Sequence, residues 1–318
     1  MEFRTLTKPL EGLKGTVSHA APILLVGSCF SDNIGAELRA DLFDVIVNPF
    51  GPLYNPLSIA RAIDIIIAGC EDDNPPQLFE HDGLWRDWNF HSRYAAPTPG
   101  EATRLMTRSV AAAHDTLPRA SAIILTLGTT TAYRLAGTGQ VVANCHKMPS
   151  AMFDCAELNL DETIGCLDRA VRAIREVNTE AKIIFTVSPL RYLSDGMHAN
   201  TIIKATLHLA IDAVMRHHEG TIYFPAYEIM NDDLRDYRFY ADDMKHPSAM
   251  AVRYIYDLFS QSFFTPATLG TASAGRRLSR RLGHRSFSGA QTEIKELDLL
   301  RQYPELVDGY KRFIENEL

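Results

Sequence analysis

Five short apolar runs, each too brief for a helix and each followed by a stretch of helical character, constrain this chain most. Residues 22–26 (PILLV), 44–47 (DVIV), 122–127 (AIILTL), 182–187 (KIIFTV) and 221–224 (TIYF) read as strands. Most do not alternate apolar with polar, which suits strands covered on both faces in a parallel sheet. Helical stretches at 31–42, 57–68, 101–117, 162–177, 200–217 and 248–264 separate and follow them, with Pro56 placed as a first-turn proline. Alternating strand and helix means βαβ units with right-handed crossovers. The expected fold is α/β: a three-layer α/β/α sandwich on a roughly five-stranded parallel sheet.

Two regions depart from this alternation. Residues 69–100 form an insertion rich in Pro, Asp and aromatics that holds both tryptophans, Trp85 and Trp88. It reads as a packed structural loop or a lid, and Trp85, Trp88, Phe90 and Tyr94 would suit stacking on a sugar. Beyond residue 264 the chain reads as a second unit, 265–318, appended to a main domain of residues 1–264. There, TPATLGTASAG looks like a small-residue linker. RRLSRRLGHR, with five arginines, looks like a solvated basic face, and 292–318 like an amphipathic helical tail.

The net charge of −7 gives no electrostatic reason to expect nucleic acid or an anionic membrane as a partner. No apolar run approaches the roughly 20 residues of a membrane span, and MEFRTLTKPLEGLKG contains no apolar signal region. Five cysteines, an odd number without dense spacing, fit a reduced compartment. The expectation is a cytoplasmic protein.

Local motifs exclude several chemistries. There is no P-loop, and Gly137-Thr138-Gly139 reads as a turn rather than a dinucleotide fingerprint. Cys29, Cys145, His146 and His246 lack any local metal-binding spacing, and no metal or organic cofactor is called for. The sharpest feature is Gly27-Ser28-Cys29 where the first strand meets the first helix. Ligands bind at the carboxyl ends of strands in such sheets, and a hydroxyl or thiol there has the placement of a nucleophile elbow. Equally, Ser28 or Ser31 could cap the helix and Cys29 could be a small buried residue. The second feature is Asp243-x-x-His246-Pro247 before the last helix. An Asp at that spacing can accept the imidazole Nδ1–H and leave Nε2 as a base. The alternative is a surface loop with Ser248 as a helix cap.

Together these features resemble the SGNH (GDSL-type) hydrolase superfamily, whose sheet is flavodoxin-like. Within it, Gly27-Ser28-Cys29-Phe30-Ser31 is similar to the signature of the GSCFA family, with Ser31 where that signature has Ala. Leu127-Gly128-Thr129, Asn144-Cys145-His146-Lys147, Val187-Ser188-Pro189 and the run from Asp236 to Tyr240 resemble the same family, so the likeness spans roughly residues 20–259. It implies Cys29 in the nucleophile slot, with Ser28 the competing choice, and Asp243 and His246 as the acid–base pair. It also implies Gly51 as an oxyanion glycine and Gly128-Thr129-Thr130 as the Gly-x-Asn block. Two departures stand out: the elbow serine is a cysteine, and the oxyanion asparagine is Thr130. Asn144, with His146 nearby, could supply the missing amide. The expected activity is hydrolysis or transfer of an ester, thioester or related acyl group on a small molecule or glycan. The rivals are a non-catalytic small-ligand or glycan-binding module and a thiol redox sensor pairing Cys29 with Cys145 or Cys155. A helix N-terminus and a charged His246 would both favour a thiolate at Cys29.

Overall fold

The computed structural model describes residues 5–70, 75–192, 196–283 and 298–317. In chain order the strands are β1 (Ile23–Gly27), β2 (Val45–Val47), β3 (Phe79–His81), β4 (Leu84–Arg86), β5 (Ala122–Leu127), β6 (Thr131–Leu135), β7 (Val141–Val142), β8 (Phe153–Glu157), β9 (Lys182–Val187) and β10 (Thr221–Tyr223). The helices are α1 (Cys29–Ala40), α2 (Pro56–Ala68), α3 (Pro99–Thr116), α4 (Leu160–Val177), α5 (Met197–Met215), the single turn α6 (Ala226–Glu228), α7 (Ala249–Phe263), α8 (Pro266–Gly283) and α9 (Val307–Glu317).

Five strands form one parallel sheet in the order β10-β9-β5-β1-β2. Both of its faces are apolar because successive side chains alternate sides. Leu24, Val26, Ile123, Leu125, Ile183 and Phe185 pack against α2, α3, α4 and α5 through residues such as Ile63, Val110, Val171 and Leu207. Ile23, Leu25, Ile124 and Ile184 meet Phe30 and Ile34 of α1 and Ile255 and Phe259 of α7 on the other side. This is the three-layer sandwich expected from the sequence. Each fully buried aliphatic or Phe side chain contributes about 1.5–3 kcal/mol of transfer free energy. Helix starts are set locally: Asn55 caps α2 ahead of Pro56, and Asn159 with Glu162 forms a capping box on α4.

The strand order reverses between β1 and β5, since β2 lies to one side of β1 and the later strands to the other. Their carboxyl ends therefore open the crevice where doubly wound sheets take ligands. Gly27 ends β1 against β5, where a Cβ would stand 2.3 Å from the Thr126 carbonyl oxygen. Any side chain there would push the two strands apart.

Three parts of the sequence reading need correction. Residues 131–157 hold an antiparallel trio, β7-β6-β8, that the apolar pattern did not announce. Four of the five β8 residues are exposed, so no buried face imprints a period on the sequence. The supposed linker TPATLGTASAG is the first half of α8. Its small residues allow close helix packing: a Cβ on Gly275 would lie 2.4 Å from the Asp41 carbonyl oxygen. Ala274, Leu278 and Leu282 join Leu42 and Leu306 in a core of their own. Nor is the arginine run wholly solvated. Arg276 pairs with Glu37 at 2.6 Å and also with Asp41, which Tyr256 bonds at 2.6 Å. Of the expected tail helix, α9 is observed and residues 292–297 lie outside the described residues.

Candidate active site

The site begins at the β1–α1 turn. Ser28 is buried and caps α1, its Oγ accepting the Phe30 amide at 3.3 Å. Cys29 follows as the first helical residue and is half-buried. Its sulfur lies by its own amide and that of Phe30, donors of the helix's first turn. Ser31 donates its hydroxyl to Thr126 Oγ1 at 2.8 Å, tying α1 to β5.

Burial pushes the Cys29 thiol up from its ordinary range, and the Asp32 carboxylate pushes the same way. The two amides and Lys204 pull it down but do not prevail. This corrects the sequence expectation of a favoured thiolate, because desolvation of the sulfur outweighs the helix N-terminus.

Asn48 organises the elbow from behind. It is fully buried and holds a left-handed conformation at φ 46°. Its Oδ1 accepts the Gly27 amide at 2.9 Å, and its Nδ2 donates to Ser28 O at 3.3 Å and to Asp32 Oδ1 at 3.0 Å. Arg93, from the insertion, donates to the Asn48 carbonyl at 2.6 Å.

The Asp243–His246 hydrogen bond forms, and it does so in an exposed loop whose Ser248 caps α7, so both features that the sequence offered as alternatives are present. His246 Nδ1 donates to Asp243 Oδ2 at 2.5 Å, and Asp243 Oδ1 accepts the amides of Lys245 and His246 at 2.9 Å. These three bonds, the imidazole one foremost, hold the Asp243 carboxyl well below the usual range. Both side chains are exposed, and among the described residues no hydrogen bond joins His246 to Cys29. A cavity of ≈ 200 Å³ lined by Arg191, Met230, Tyr237, Tyr240 and Met244 adjoins this loop.

The remaining sequence-derived positions divide differently. The Gly51 amide, expected as an oxyanion donor, is given to the Asn48 carbonyl at 2.8 Å. The amides of Gly128 and Thr129 both go to the Tyr54 carbonyl, at 2.7 and 2.9 Å. Thr130 is buried, its carbonyl accepting from Leu158. Asn144 Oδ1 accepts the His146 amide at 2.8 Å. His146 spends both ring nitrogens on the insertion, Nε2 at Asp87 O (2.9 Å) and Nδ1 at Ser92 Oγ (3.1 Å). Burial lowers its basicity. Asn144 and His146 thus clasp the insertion. The sugar-stacking expectation also fails for its central aromatics. Trp88 is 9% exposed and stacks on Phe79, and Phe90 is 2% exposed and packs on Phe50. Trp85 and Tyr94 pack partly buried against the same core.

Sequence reasoning missed Lys204. It is 2% exposed, and its Nζ donates to Gly128 O at 2.8 Å and Ser188 O at 2.9 Å, at the carboxyl ends of β5 and β9. Burial lowers its pKa to about 7, with Cys29 pulling the other way. The signal was present: Asn200, Lys204, Leu207 and Ile211 share the buried stripe of α5, where a lysine is out of place. Tyr54 and Tyr192, rings 6.0 Å apart, are two further neighbours whose hydroxyls feel Cys29.

The sequence profile of the GSCFA family matches residues 22–259. The chain belongs to the GSCFA family. No curated protein matches it. Among solved structures, a carbohydrate esterase family 2 enzyme with a carbohydrate-binding domain from Corynascus thermopiles (Myceliophthora fergusii) is similar at 14% identity and a TM-score of 0.40, over 84% of this chain and 69% of that one. The acetyl xylan esterase Est2A from Butyrivibrio proteoclasticus is similar at 11% identity and a TM-score of 0.37, over 83% and 64%. A carbohydrate esterase family 3 protein from Talaromyces cellulolyticus is similar at 12% identity and a TM-score of 0.32, over 80% and 98%. In this GSCFA chain no helix among the described residues is long and apolar enough to cross a membrane. No group of three or more His, Cys, Asp or Glu among them is arranged to hold a metal ion.

Proposed function

We propose that this GSCFA protein is an SGNH-type hydrolase or acyltransferase acting on an ester, thioester or related acyl group. The observation that carries the reading is Cys29 at the first turn of α1, in the crevice where β1 and β5 part, with Ser28 withdrawn into the cap. His246, its tautomer fixed by Asp243, takes the Cys29 proton through Nε2. The sulfur attacks the acyl carbon, and the Cys29 amide donates to the oxyanion. The leaving group departs with the proton from His246. Water or an acceptor alcohol then attacks the thioester, passing its proton to His246, which hands it to the departing Cys29 sulfur and so restores the thiol and the neutral imidazole. Apo sites often hold such partners apart until substrate binds, so an exposed His246 is compatible with this role.

One observation favours the rival reading, a non-catalytic binding module. With the Gly51 amide committed to Asn48, the oxyanion loses a donor worth about 2.7–4 kcal/mol in other enzymes. Labelling separates the two. An enzyme reacts with a chloroacetamide probe at Cys29 at a rate that collapses in His246→Ala, hydrolyses at least one member of an ester and thioester panel, and loses that turnover in Cys29→Ala but not in Ser28→Ala. Labelling insensitive to His246→Ala, with an inert panel, sinks the enzymatic reading. Fluorophosphonate capture of Ser28 with an active Cys29→Ala would reassign the nucleophile.

A further inference from the structure

We propose that the carboxyl ends of β5 and β9, closed over by the first turns of α5, form a binding subsite for a hydroxycarboxylate, built from Ser188, Asn200 and Lys204 with Arg191 at its edge. The starting point is a concentration of buried polar atoms that nothing satisfies. Asn200 is 1% exposed, and neither its Nδ2 nor its Oδ1 has a partner. The Ser188 hydroxyl, equally buried, has none, and neither does Arg191 Nε. Interiors leave few such groups, so a cluster of them signals a missing partner rather than chance.

The cluster is contiguous. Asn200 precedes Lys204 by one helical turn on the same face of α5. Lys204 Nζ touches the Ser188 carbonyl, and Arg191 lies three residues further along that loop. Two of the three Lys204 donors are placed on carbonyls, leaving one to give. Lys204 and Arg191 feel each other's charge, and neither forms an ion pair with a carboxylate among the described residues. The Arg191 guanidinium, Lys204 in its charged form and a hydroxyl without an acceptor call for an anion of several lone pairs, which would itself favour the charged lysine. The Asn200 amide offers a donor and an acceptor together, which a hydroxyl beside the carboxylate matches by accepting one bond and donating the other. A bare carboxylate would leave Oδ1 unsatisfied, and a neutral sugar hydroxyl would leave the cations so.

The subsite lies one strand over from the nucleophile. Ser28 bonds Thr126 O, and Ser188 bonds Leu127 O, so both turns grip the end of β5. The further step, that the transferred acyl group itself carries the hydroxycarboxylate, rests on the acyl-transfer reading above. The binding step does not.

Titration calorimetry with lactate and with its neutral isostere lactamide tests the subsite on the intact protein. Lactate binds, lactamide binds at least about tenfold more weakly, and Asn200→Leu weakens lactate by about tenfold, the loss of the paired bonds to its hydroxyl. Arg191→Gln, at the edge and outside the core, gives a smaller loss and serves if Asn200→Leu does not fold. Bound lactate also slows chloroacetamide labelling of Cys29. Equal affinity for lactate and lactamide, no binding of either, or lactate binding unchanged in Asn200→Leu or Arg191→Gln overturns the subsite. An inert ester panel with intact lactate binding removes the acyl reading alone. An active panel without lactate binding removes the subsite alone.

Discussion

Asn48→Ala is the most informative single perturbation of this elbow, because its cost can be assembled from three contacts. The side chain is fully buried. Deleting it orphans the Gly27 amide, which costs about 1–3 kcal/mol for an unsatisfied buried donor. It also removes the bond to the Asp32 carboxylate, worth about 1.5–3 kcal/mol for a charged acceptor. Ser28 O keeps the Ser31 amide, so its longer bond from Asn48 adds little. Alanine at φ 46° adds about 1 kcal/mol more, since Asn tolerates the left-handed region better. The sum is about 3.5–7 kcal/mol, a large share of the about 5–15 kcal/mol that typically holds a domain folded. Urea denaturation measures it, and Asn48→Gly isolates the backbone part by accepting the left-handed conformation without strain. Glycine should recover only about 1 kcal/mol of the loss. In both variants the loosened turn exposes Cys29 and speeds its alkylation at pH 8. An Asn48→Ala protein within 1 kcal/mol of wild type, or a Gly variant as stable as wild type, would refute this account of the elbow.

Asp243→Asn should abolish most His246-dependent labelling of Cys29, while Asp242→Asn stays near wild type; the reverse ranking in labelling rates would move the orienting role to Asp242. Phe90→Ala, which empties a buried site against Phe50, should cost about 3–5 kcal/mol in denaturation. A loss under 1 kcal/mol would mean that the insertion is not anchored through it. The rising limb of Cys29 alkylation against pH should lie above that of free cysteine, because the folded thiol holds its proton more tightly. By linkage the same group stabilises the fold below the ordinary thiol range and loses that contribution as pH rises through its elevated pKa. A limb at or below that of free cysteine contradicts the dominance of desolvation.

The sheet was legible because its strands are apolar on both faces, so runs such as AIILTL and KIIFTV identify themselves without neighbours. Asp243 and His246 were legible because the bond spans three residues and a local turn closes it. Asn48 was not, since its partners Gly27, Ser28 and Asp32 lie 16 to 21 residues away and only the parallel pairing of β1 with β2 brings them near. The Gly51 assignment failed for a related reason. Gly51 carries an amide at a position that motif spacing selects, but spacing cannot reveal that the Asn48 carbonyl has already taken that amide. The aromatics of the insertion misled because Trp and Tyr serve cores and sugar platforms alike. Burial alone distinguishes the two, and burial here comes from Phe50 and Phe79.

The electrostatics of Cys29 decide how the site can work. A cysteine at a helix N-terminus is expected to ionise early, yet here the sulfur lies in a half-closed crevice with Asp32 one turn along the helix. Asp32 is itself held by Asn48, so the group that shapes the elbow also raises the thiol. Lys204 opposes this from across the crevice, but its own charge is weakened by burial. Desolvation thus favours the thiol at Cys29 over the more reactive thiolate. On the acyl-transfer reading proposed above, reaction requires a base delivered with the substrate. The exposed His246, hydrogen-bonded to Asp243 within a short loop, is the base that reading assigns. On the same reading, an anion seated beside Lys204 would further disfavour the thiolate until His246 approaches.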